Sequence, residues 1–389
     1  MRILFSSTRG AGHLQPLLPY AKALVAMGHD VLVAGPHELS GALQTAGLKH
    51  APFAHPGDEA LAPFWARLRL VSREEQAAVF VREIFAGLNA QAALPGVIDT
   101  IRAWQPQLVV RDSVEFGALV AAEVAGVPHV RVAVHQRSME EQIRSLAALP
   151  IDSLRQAAGL TADEGAALHG ERIFTSFPES FEGAADAEAA RLVYRVGPVK
   201  DVPSAASSAW ERNTDGLPLV YVSFGTVVTT MPEAQGLYQT AIAALRDLPV
   251  RALLTTGRGF DLAILGKVPA NVRVEAWVPQ AEVFPHAAAM VCHGGSGTVL
   301  GGLAACIPQV VVPFGADQPL NAQSIVTIGA GLALNQPDAP TLRAAIERVL
   351  ADPKFADAAR LVSCEMFALP TIDEAANALL ALASSIPPA

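Results

Sequence analysis

Cysteine is scarce in this sequence. Only Cys292, Cys306 and Cys364 occur among 389 residues, and no Cys-x-x-Cys pair is present. An odd number of scattered cysteines argues against a disulfide framework and against a zinc ribbon. Cys292 and Cys306 with His293 offer no convincing ligand spacing for zinc. We therefore expect three small apolar thiols in a reducing compartment, the cytoplasm.

Charge is also low, and its net sign is negative. The chain has 28 Lys+Arg against 37 Asp+Glu, a net charge of −9, and only 17% charged residues. An acidic chain argues against a general nucleic-acid binder and against a binder of anionic membranes. The uncharged run 297–316 contains Pro308 and Pro313, which would break a spanning helix. It predicts a short helix and a buried strand, so we expect no nucleic-acid or membrane partner.

Short apolar runs alternate with longer amphipathic segments along the chain. RILFSS, DVLVAG and LVVRDS are each followed by a helical pattern, and the series begins again at LPLVYVSFGT. This βαβ order predicts an α/β fold of two doubly wound parallel-sheet units in tandem. The predicted segments are a first domain, a polar linker, a second domain and a C-terminal helix that packs back on the first: 1–200, 201–216, 217–365 and 366–389.

A glycine-rich turn, Thr8-Arg9-Gly10-Ala11-Gly12-His13, follows the first predicted strand. It is not a dinucleotide fingerprint, because Gln15 stands where the third glycine would be. His13 and Asp112 both follow strand ends, where open α/β sheets bind ligands. If the two strands are neighbours, Asp112 could orient His13 as a general base. The alternatives are that His13 packs a helix start and that Asp112 caps the helix near Val114.

The second half carries a denser series of motifs. In order they are Trp277-Val278-Pro279-Gln280, His286, His293-Gly294-Gly295-Ser296-Gly297-Thr298, and Asp317-Gln318 followed by Pro319 and Asn321. Singly, each has a structural alternative, since a tryptophan is often core, glycines make tight turns and an aspartate caps helices. Together the series resembles the nucleotide-sugar signature of the family 1 glycosyltransferases. Ser223-Phe224-Gly225-Thr226 and Thr255-Thr256-Gly257-Arg258 stand where that family has similar turns, and the resemblance covers essentially the whole chain.

The resemblance implies a GT-B fold, with two Rossmann-like domains facing across a cleft. It implies an inverting hexosyltransferase that binds a hydrophobic acceptor, the aglycone, in the first domain and a nucleotide sugar in the second. His13 would take the acceptor proton and Asp112 would hold His13. No Asp-x-Asp occurs, so we expect neither a metal nor a cofactor beyond the nucleotide sugar as co-substrate.

The resemblance and the positions of these residues after strand ends also suggest the ligand contacts. The expected donor-binding residues are Gly12, Thr226, Arg258, Trp277, Val278, Gln280, His293, Gly295, Ser296, Gly297, Thr298, Asp317 and Gln318. The expected acceptor-binding residues are Phe64, Phe85, Ser113, His135 and Met139, with Arg111 as a further wall.

One departure from the family pattern bears on the donor. Many relatives that use UDP-sugars have a glutamate eight residues after the signature histidine, which holds the ribose hydroxyls, whereas Gly301 stands there in this chain. The chain therefore resembles the bacterial members that use dTDP-sugars on antibiotic scaffolds, although a UDP donor stays open. Other open alternatives are a nucleotide-sugar epimerase or phosphorylase, and a noncatalytic nucleotide-sugar-binding protein or auxiliary partner of a transferase. A homodimer is the expected assembly.

Overall fold

The computed structural model describes residues 1–68, 70–199, 216–225 and 232–385, so the predicted linker lies almost wholly outside it. The chain forms two compact units. The first comprises Met1–Ser176, Ala185–Gly197 and the C-terminal segment from Pro370. The second comprises Phe177–Ala184 and Pro198–Leu369.

The first unit is built on a seven-stranded sheet in which every pair of neighbours is parallel. Its strands in chain order are β1 (Arg2–Ser6), β2 (Asp30–Pro36), β3 (Lys49–Phe53), β4 (Leu108–Asp112), β5 (His129–Val132), β6 (Ile173–Thr175) and β7 (Val193–Arg195). They lie side by side in the order β3-β2-β1-β4-β5-β6-β7. The order reverses direction between β1 and β4, which places the topological switch point of this unit there.

Helices connect these strands. They are α1 (Ala11–Leu14), α2 (Leu18–Ala26), α3 (Ser40–Thr45), α4 (Asp58–Leu68), α5 (Arg73–Val79), α6 (Ala90–Trp104), α7 (Phe116–Ala125), α8 (Arg137–Ala157), α9 (Ala166–Gly170) and, after the second unit's α10 (Glu179–Glu182), α11 (Ala187–Leu192). A 3-10 turn, His37–Leu39, precedes α3, and a π-helix, Phe80–Asn89, joins α5 to α6.

The second unit has a six-stranded sheet, again parallel throughout. Its strands are β8 (Leu219–Ser223), β9 (Arg251–Thr255), β10 (Val272–Glu275), β11 (Ala287–Cys292), β12 (Gln309–Val311) and β13 (Gly331–Ala333). Their order is β10-β9-β8-β11-β12-β13, so the switch point lies between β8 and β11. The expectation of two doubly wound parallel-sheet units is confirmed.

The helices of the second unit cover both faces of its sheet. They are α10 (Glu179–Glu182), α12 (Pro232–Leu245), α13 (Gln280–Val283), α14 (Ser296–Ala304), α15 (Gln318–Thr327), α16 (Ala339–Ala351) and α17 (Pro353–Ala368), with 3-10 turns at Leu262–Leu265 and Phe284–His286. The uncharged run 297–316 accordingly forms a short helix and a buried strand, as predicted.

The last helix, α18 (Ile372–Ser385), belongs to the first unit. Its buried Ala375, Ala376 and Leu379 join the apolar core that surrounds β1 and β2. Thr371 and Glu374 form a capping box at its start, since the Glu374 carboxylate accepts from the Thr371 N–H at 2.7 Å. The segment that returns to the first unit therefore begins at Pro370, after α17 has ended.

Residues Glu75–Trp104 have the length and hydropathy of a membrane-spanning helix. Core helices of globular proteins share this composition, so the property is weak evidence for a span. Val97 and Ile101 on α6 are buried in the first unit, as expected of a core helix.

Candidate active site

His13 and Asp112 meet at the switch point of the first unit. β1 pairs directly with β4, with Ser6 opposite Arg111 in the register. The residues that follow both strand ends are thereby brought together. Nδ1 of His13 lies 3.5 Å from Oδ1 of Asp112. The strand order that the sequence hypothesis required is thus present.

The Asp112 carboxylate is fully buried and held by the backbone. Its Oδ2 accepts from the N–H of Thr8 at 2.7 Å, and its Oδ1 accepts from the N–H of Val114 at 2.8 Å. The cap of α7 is Glu115 instead, whose carboxylate accepts from two N–H groups of the first turn. The alternative role of Asp112 as the helix cap is therefore wrong.

Electrostatics keep Asp112 ionised. Burial alone would raise the pKa of this carboxyl group, but the nearby His13 and the N–H groups of Thr8 and Val114 outweigh burial. The pKa consequently lies below its ordinary value. A carboxylate facing Nδ1 stabilises a proton there, which leaves the lone pair of His13 on Nε2.

The second switch point is organised around His293, which follows β11. A Cβ atom added to Gly225 would lie 2.6 Å from Nε2 of His293, and one added to Gly295 would lie 2.4 Å from the same atom. Both positions must therefore be glycine for the imidazole to lie between them. Burial lowers the pKa of His293 to about 4, against the smaller opposing effects of Asp317 and the Ser223 backbone. At neutral pH this ring is an uncharged hydrogen-bonding group.

Asp317 and Asn321 tie the starts of α14 and α15 together. Oδ2 of Asp317 accepts from the Ser296 hydroxyl at 2.6 Å and from Nδ2 of Asn321 at 2.9 Å. Nδ2 of Asn321 also donates to the Gly294 carbonyl at 2.8 Å. Oε1 of Gln318 accepts from the N–H groups of Phe314 and Gly315, so its amide NH₂ is turned away from that turn.

Trp277 and its neighbours form an exposed aromatic surface after β10. The Trp277 side chain is 54% exposed, and the Arg258 guanidinium lies 5.7 Å from its ring centre. Nε2 of Gln280 donates to the Thr298 hydroxyl at 3.4 Å. Exposure on this scale disfavours the alternative that Trp277 is simply core.

The chain also matches known proteins over most of its length. Residues 22–148 and 253–382 match the N-terminal and C-terminal domains of the family described as erythromycin biosynthesis protein CIII-like. The chain is 30% identical to the L-demethylnoviosyl transferase of Streptomyces niveus, covering 100% of each chain. It is 33% identical to the elloramycin glycosyltransferase ElmGT of Streptomyces olivaceus, covering 95% of this chain and 94% of that one.

A solved structure agrees with this match. The spinosyn rhamnosyltransferase SpnG, complexed with spinosyn aglycone, has a TM-score of 0.81 at 28% identity, covering 98% of this chain and 100% of that chain. SpnG has also been solved with thymidine diphosphate. The chain belongs to the antibiotic glycosyltransferases of family 1. The predicted family and GT-B fold class are confirmed.

Two predicted acceptor residues of this glycosyltransferase, Phe85 and His135, lie beside the ring of His13. The ring centre of Phe85 lies 5.7 Å from that of His13, and the ring centre of His135 lies 6.3 Å from it. From Phe85 the aromatic contacts continue to Phe80 at 5.0 Å and then to Phe64 at 5.6 Å. Trp65, which is 43% exposed, ends this row of rings. The row of Phe85, Phe80, Phe64 and Trp65 is called the aromatic row below.

A cavity lies beside the aromatic row. It has a volume of about 360 Å³ between α4 and the π-helix, and Phe64 and Leu88 are among the side chains that line it. An ion pair between Arg67 and Glu83 joins the same two elements. The glycosyltransferase therefore has an open space in its first unit that is lined by both apolar and charged side chains.

The other predicted acceptor residues are buried. Ser113 donates to Glu140 at 2.6 Å, and Met139 is buried at the start of α8. Arg111 is fully buried and pairs with Glu171 at 2.5 Å. The expectation that Arg111 forms a pocket wall is wrong, because the Glu171 carboxylate, just before β6, holds its guanidinium inside the unit.

The remaining donor candidates lie around the strand ends of the second unit or at the turn of the first. Gly12 is exposed on α1 and Gly297 is exposed on α14. Val278 packs against the apolar cluster of the second unit that contains Tyr221 and Phe284. Thr226 falls outside the described residues. Within the part of the chain that the structure describes, no group of three or more His, Cys, Asp or Glu side chains could hold a metal ion.

Two features of the site have no counterpart in the sequence predictions. Glu140 lies near Ser113 and His135, and the π-helix aims Phe85 at His13. A glutamate in the first turn of a helix carries no local signal of such contacts. A helical pattern read at 3.6 residues per turn likewise cannot distinguish a π-helix from an α-helix.

Proposed function

We propose that this glycosyltransferase moves a sugar, with inversion, from a dTDP-sugar to a hydroxyl group of a hydrophobic natural-product acceptor. The contact between His13 and the buried Asp112 is the observation that carries the proposal. The relatives named for noviosyl and rhamnosyl transfer support a deoxysugar as the transferred group.

His13 would act as the general base. The acceptor hydroxyl gives its proton to Nε2 of His13 while its oxygen forms a bond to the anomeric carbon of the sugar. The bond from that carbon to the diphosphate oxygen breaks, and the diphosphate leaves from the opposite face. Asp112 stabilises the imidazolium that forms, and the buried carboxylate needs no reorganisation to do so.

The second unit would hold the donor. The N–H groups at the start of α14, at Ser296 to Thr298, and the neutral His293 would meet the diphosphate oxygens. Trp277 would stack on the base beside Arg258, and Gln318 with Asp317 would bind sugar hydroxyls. Because these groups meet the developing negative charge and no Asp-x-Asp occurs in the chain, the proposal includes no metal cofactor.

Gly301 supports dTDP over UDP as the nucleotide. The position offers no side chain to accept hydrogen bonds from a ribose, and a Cβ there would lie 2.6 Å from Cε2 of Phe284. The missing 2′-hydroxyl of deoxyribose makes such an acceptor unnecessary.

The acceptor would lie in the first unit, against the aromatic row and His135. Flat rings and an imidazole suit a hydrophobic molecule with a few polar groups. The assignment of 1–200 to acceptor binding and of 217–365 to donor binding remains part of this proposal. The homodimer also stays a prediction.

The test replaces His13 with Ala and compares His37→Ala, an exposed histidine of the same unit, as the control. We expect His13→Ala to lose about 10²–10⁴-fold in kcat with dTDP affinity unchanged, because it removes only the base. His37→Ala should keep full turnover. Unchanged turnover in His13→Ala would contradict the proposal, and loss of dTDP binding would place His13 in the donor site instead.

A further inference from the structure

A second histidine–carboxylate pair lies beside the first. His135 follows β5, and its ring is 6.3 Å from His13 between ring centres, at an interplanar angle of 70°. Nδ1 of His135 lies 3.4 Å from Oε1 of Glu140, and the backbone N–H of His135 donates to the same oxygen at 3.2 Å. Glu140 therefore holds the backbone of His135 by a hydrogen bond and lies close to its ring.

Glu140 is itself buried and held from two further sides. The Ser113 hydroxyl donates to its Oε1 at 2.6 Å, and Nε of the fully buried Arg131 lies 3.7 Å from its Oε2. Ser113 directly follows Asp112 in the chain. One of these two residues is therefore the carboxylate beside His13, and the next one binds the carboxylate beside His135. Burial alone would raise the pKa of Glu140, but His135, Arg131 and Ser113 together lower it below its ordinary value. The carboxylate beside His135 is thus ionised.

A similar cluster surrounds Arg111, whose Nη1 donates to the carbonyl groups of Asp112 and Ser113 at 3.0 Å. Glu171 accepts from Nε of Arg111 at 3.0 Å and lies 2.9 Å from Nδ1 of His129. Arg111 and Arg131 are opposite each other in the register of β4 and β5. His129 opens β5 at its amino end, whereas His135 follows the carboxyl end of that strand. The cluster of Glu171, Arg111 and His129 therefore has the same buried residue types as Glu140, Arg131 and His135. Its histidine, unlike His135, is not beside His13.

We infer that Glu140 is a positioning residue of the acceptor site, which holds His135 beside His13 so that the two imidazoles together receive an acceptor with two adjacent oxygens. This inference rests on the proposed function, since it takes His13 as the base. One oxygen would be the hydroxyl that becomes glycosylated, and its neighbour, a phenol or carbonyl oxygen, would meet His135.

The distance between the rings fits such a group. Hydrogen bonds to an imidazole nitrogen are about 2.8 Å long, so rings whose centres are 6.3 Å apart can each reach one of two neighbouring oxygens. An imidazole can donate a hydrogen bond to an acidic oxygen of the acceptor, and such a bond is stronger when the oxygen is ionised. Phe85 flanks His13 and offers a surface for the ring that bears the two oxygens.

The test uses two planar probes. Alizarin has hydroxyl groups on the adjacent carbons 1 and 2 of anthraquinone, and 2-hydroxyanthraquinone has only the second of them. Their affinities for the full-length protein are measured by titration without a donor, for wild type, Glu140→Gln and Glu171→Gln. We expect Glu140→Gln to weaken the binding of alizarin about tenfold, because a charge-assisted hydrogen bond is lost. Binding of the single-hydroxyl probe should weaken far less. Glu171→Gln, an equal change in buried charge, should leave the preference between the probes unchanged.

A double-mutant cycle separates positioning from general destabilisation. If Glu140 acts through His135, His135→Gln should reproduce the loss of preference for alizarin. The double variant should then lose no more alizarin affinity than either single variant. This arm also stands if Glu140→Gln folds poorly, because His135→Gln alone should reduce the preference.

Additive losses, an unchanged preference in Glu140→Gln or His135→Gln, or an equal effect of Glu171→Gln would overturn the inference. The result is distinguishable from failure of the proposed function. That failure would appear as unchanged turnover in His13→Ala, whereas this titration needs no turnover.

Discussion

The ring of Phe284 occupies the space into which a side chain at Gly301 would extend. A Cβ added to Gly301 would lie 2.6 Å from Cε2 and 3.4 Å from Cζ of that ring. Phe284 is buried, and its ring packs at 76° to that of Tyr221, with 5.9 Å between centres. A residue larger than glycine at this position therefore requires a change in the core around it.

Gly301→Glu should lower the stability of the protein without creating a preference for UDP. Forcing a side chain against a buried ring costs about 1–3 kcal/mol, and the carboxylate has no free path past Phe284. Chemical denaturation measures the loss, and titration with dTDP and UDP measures the preference. In Gly301→Glu/Phe284→Ala the ring is gone, and the ratio of UDP to dTDP affinity should rise. A single variant with wild-type stability and improved UDP binding would contradict this account.

Gly295→Ala and Gly297→Ala should differ although they lie on one turn. A Cβ at Gly295 would lie 2.4 Å from Nε2 of His293, whereas one at Gly297 meets nothing within 4 Å. We expect Gly295→Ala to lower the melting temperature and to weaken dTDP binding, because the imidazole must move. Gly297→Ala should keep or raise the melting temperature, since alanine stabilises a helix by about 0.5–1 kcal/mol over glycine. Equal melting temperatures for the two variants would show that His293 moves freely.

Asp112→Asn should slow turnover while leaving dTDP binding intact. The amide is the same size as the carboxylate but cannot stabilise an imidazolium, so we expect kcat to fall about a hundredfold or more. The matched control is Asp99→Asn, the same substitution at an exposed position on α6. Single-turnover kinetics with saturating donor measure the chemical step. Equal kcat in the two variants would remove Asp112 from the mechanism.

Glu115 should make the protein less stable as pH rises from about 4.5 to about 7. Burial raises the pKa of this carboxyl group to about 7, and the nearby Asp112 adds to the increase, against the hydrogen bond from Ser6. The ordinary pKa is 4.5, so in this window the unfolded chain releases a proton that the folded protein keeps. Stability must then fall with pH.

The free energy of unfolding of wild type minus that of Glu115→Gln should therefore fall through this window and flatten above it. Denaturation at a series of pH values measures this difference. Glu171→Gln is the contrasting control. Arg111 and His129 overcome the effect of burial and lower the pKa of Glu171 to about 2. Its contribution is complete above pH 4.5 and is lost only as pH falls toward 2. A flat difference for Glu115→Gln would show that folding does not raise the pKa of Glu115.

The sequence predicts the site better at its turns than in its buried interior. His13 and His293 stand out because glycine-rich turns after apolar runs are local features, and parallel strands bring their carboxyl ends to one edge. The contact between His13 and Asp112 could be stated only as a condition, because it depends on β1 and β4 being neighbours. Strand pairing between residues a hundred positions apart leaves no local signal.

Arg111 shows why the buried interior is harder to predict. A charged residue near a strand end is usually exposed, but Glu171, sixty residues later, accepts from its guanidinium inside the unit. Glu140 was missed for the same reason, since its partners Arg131, His135 and Ser113 come from other elements. Buried ion pairs join distant segments, and only the folded chain brings both partners together.

The π-helix Phe80–Asn89 makes the aromatic row depend on the number of residues in the chain as well as on their identity. Each residue of an α-helix turns the chain by about 100°, and the wider π-helix turns it less. Removing one residue from this segment would rewind it and swing Phe85 away from His13 without changing any side chain. If the acceptor binds against the aromatic row as proposed, insertions and deletions here would change which acceptors fit more abruptly than point substitutions do.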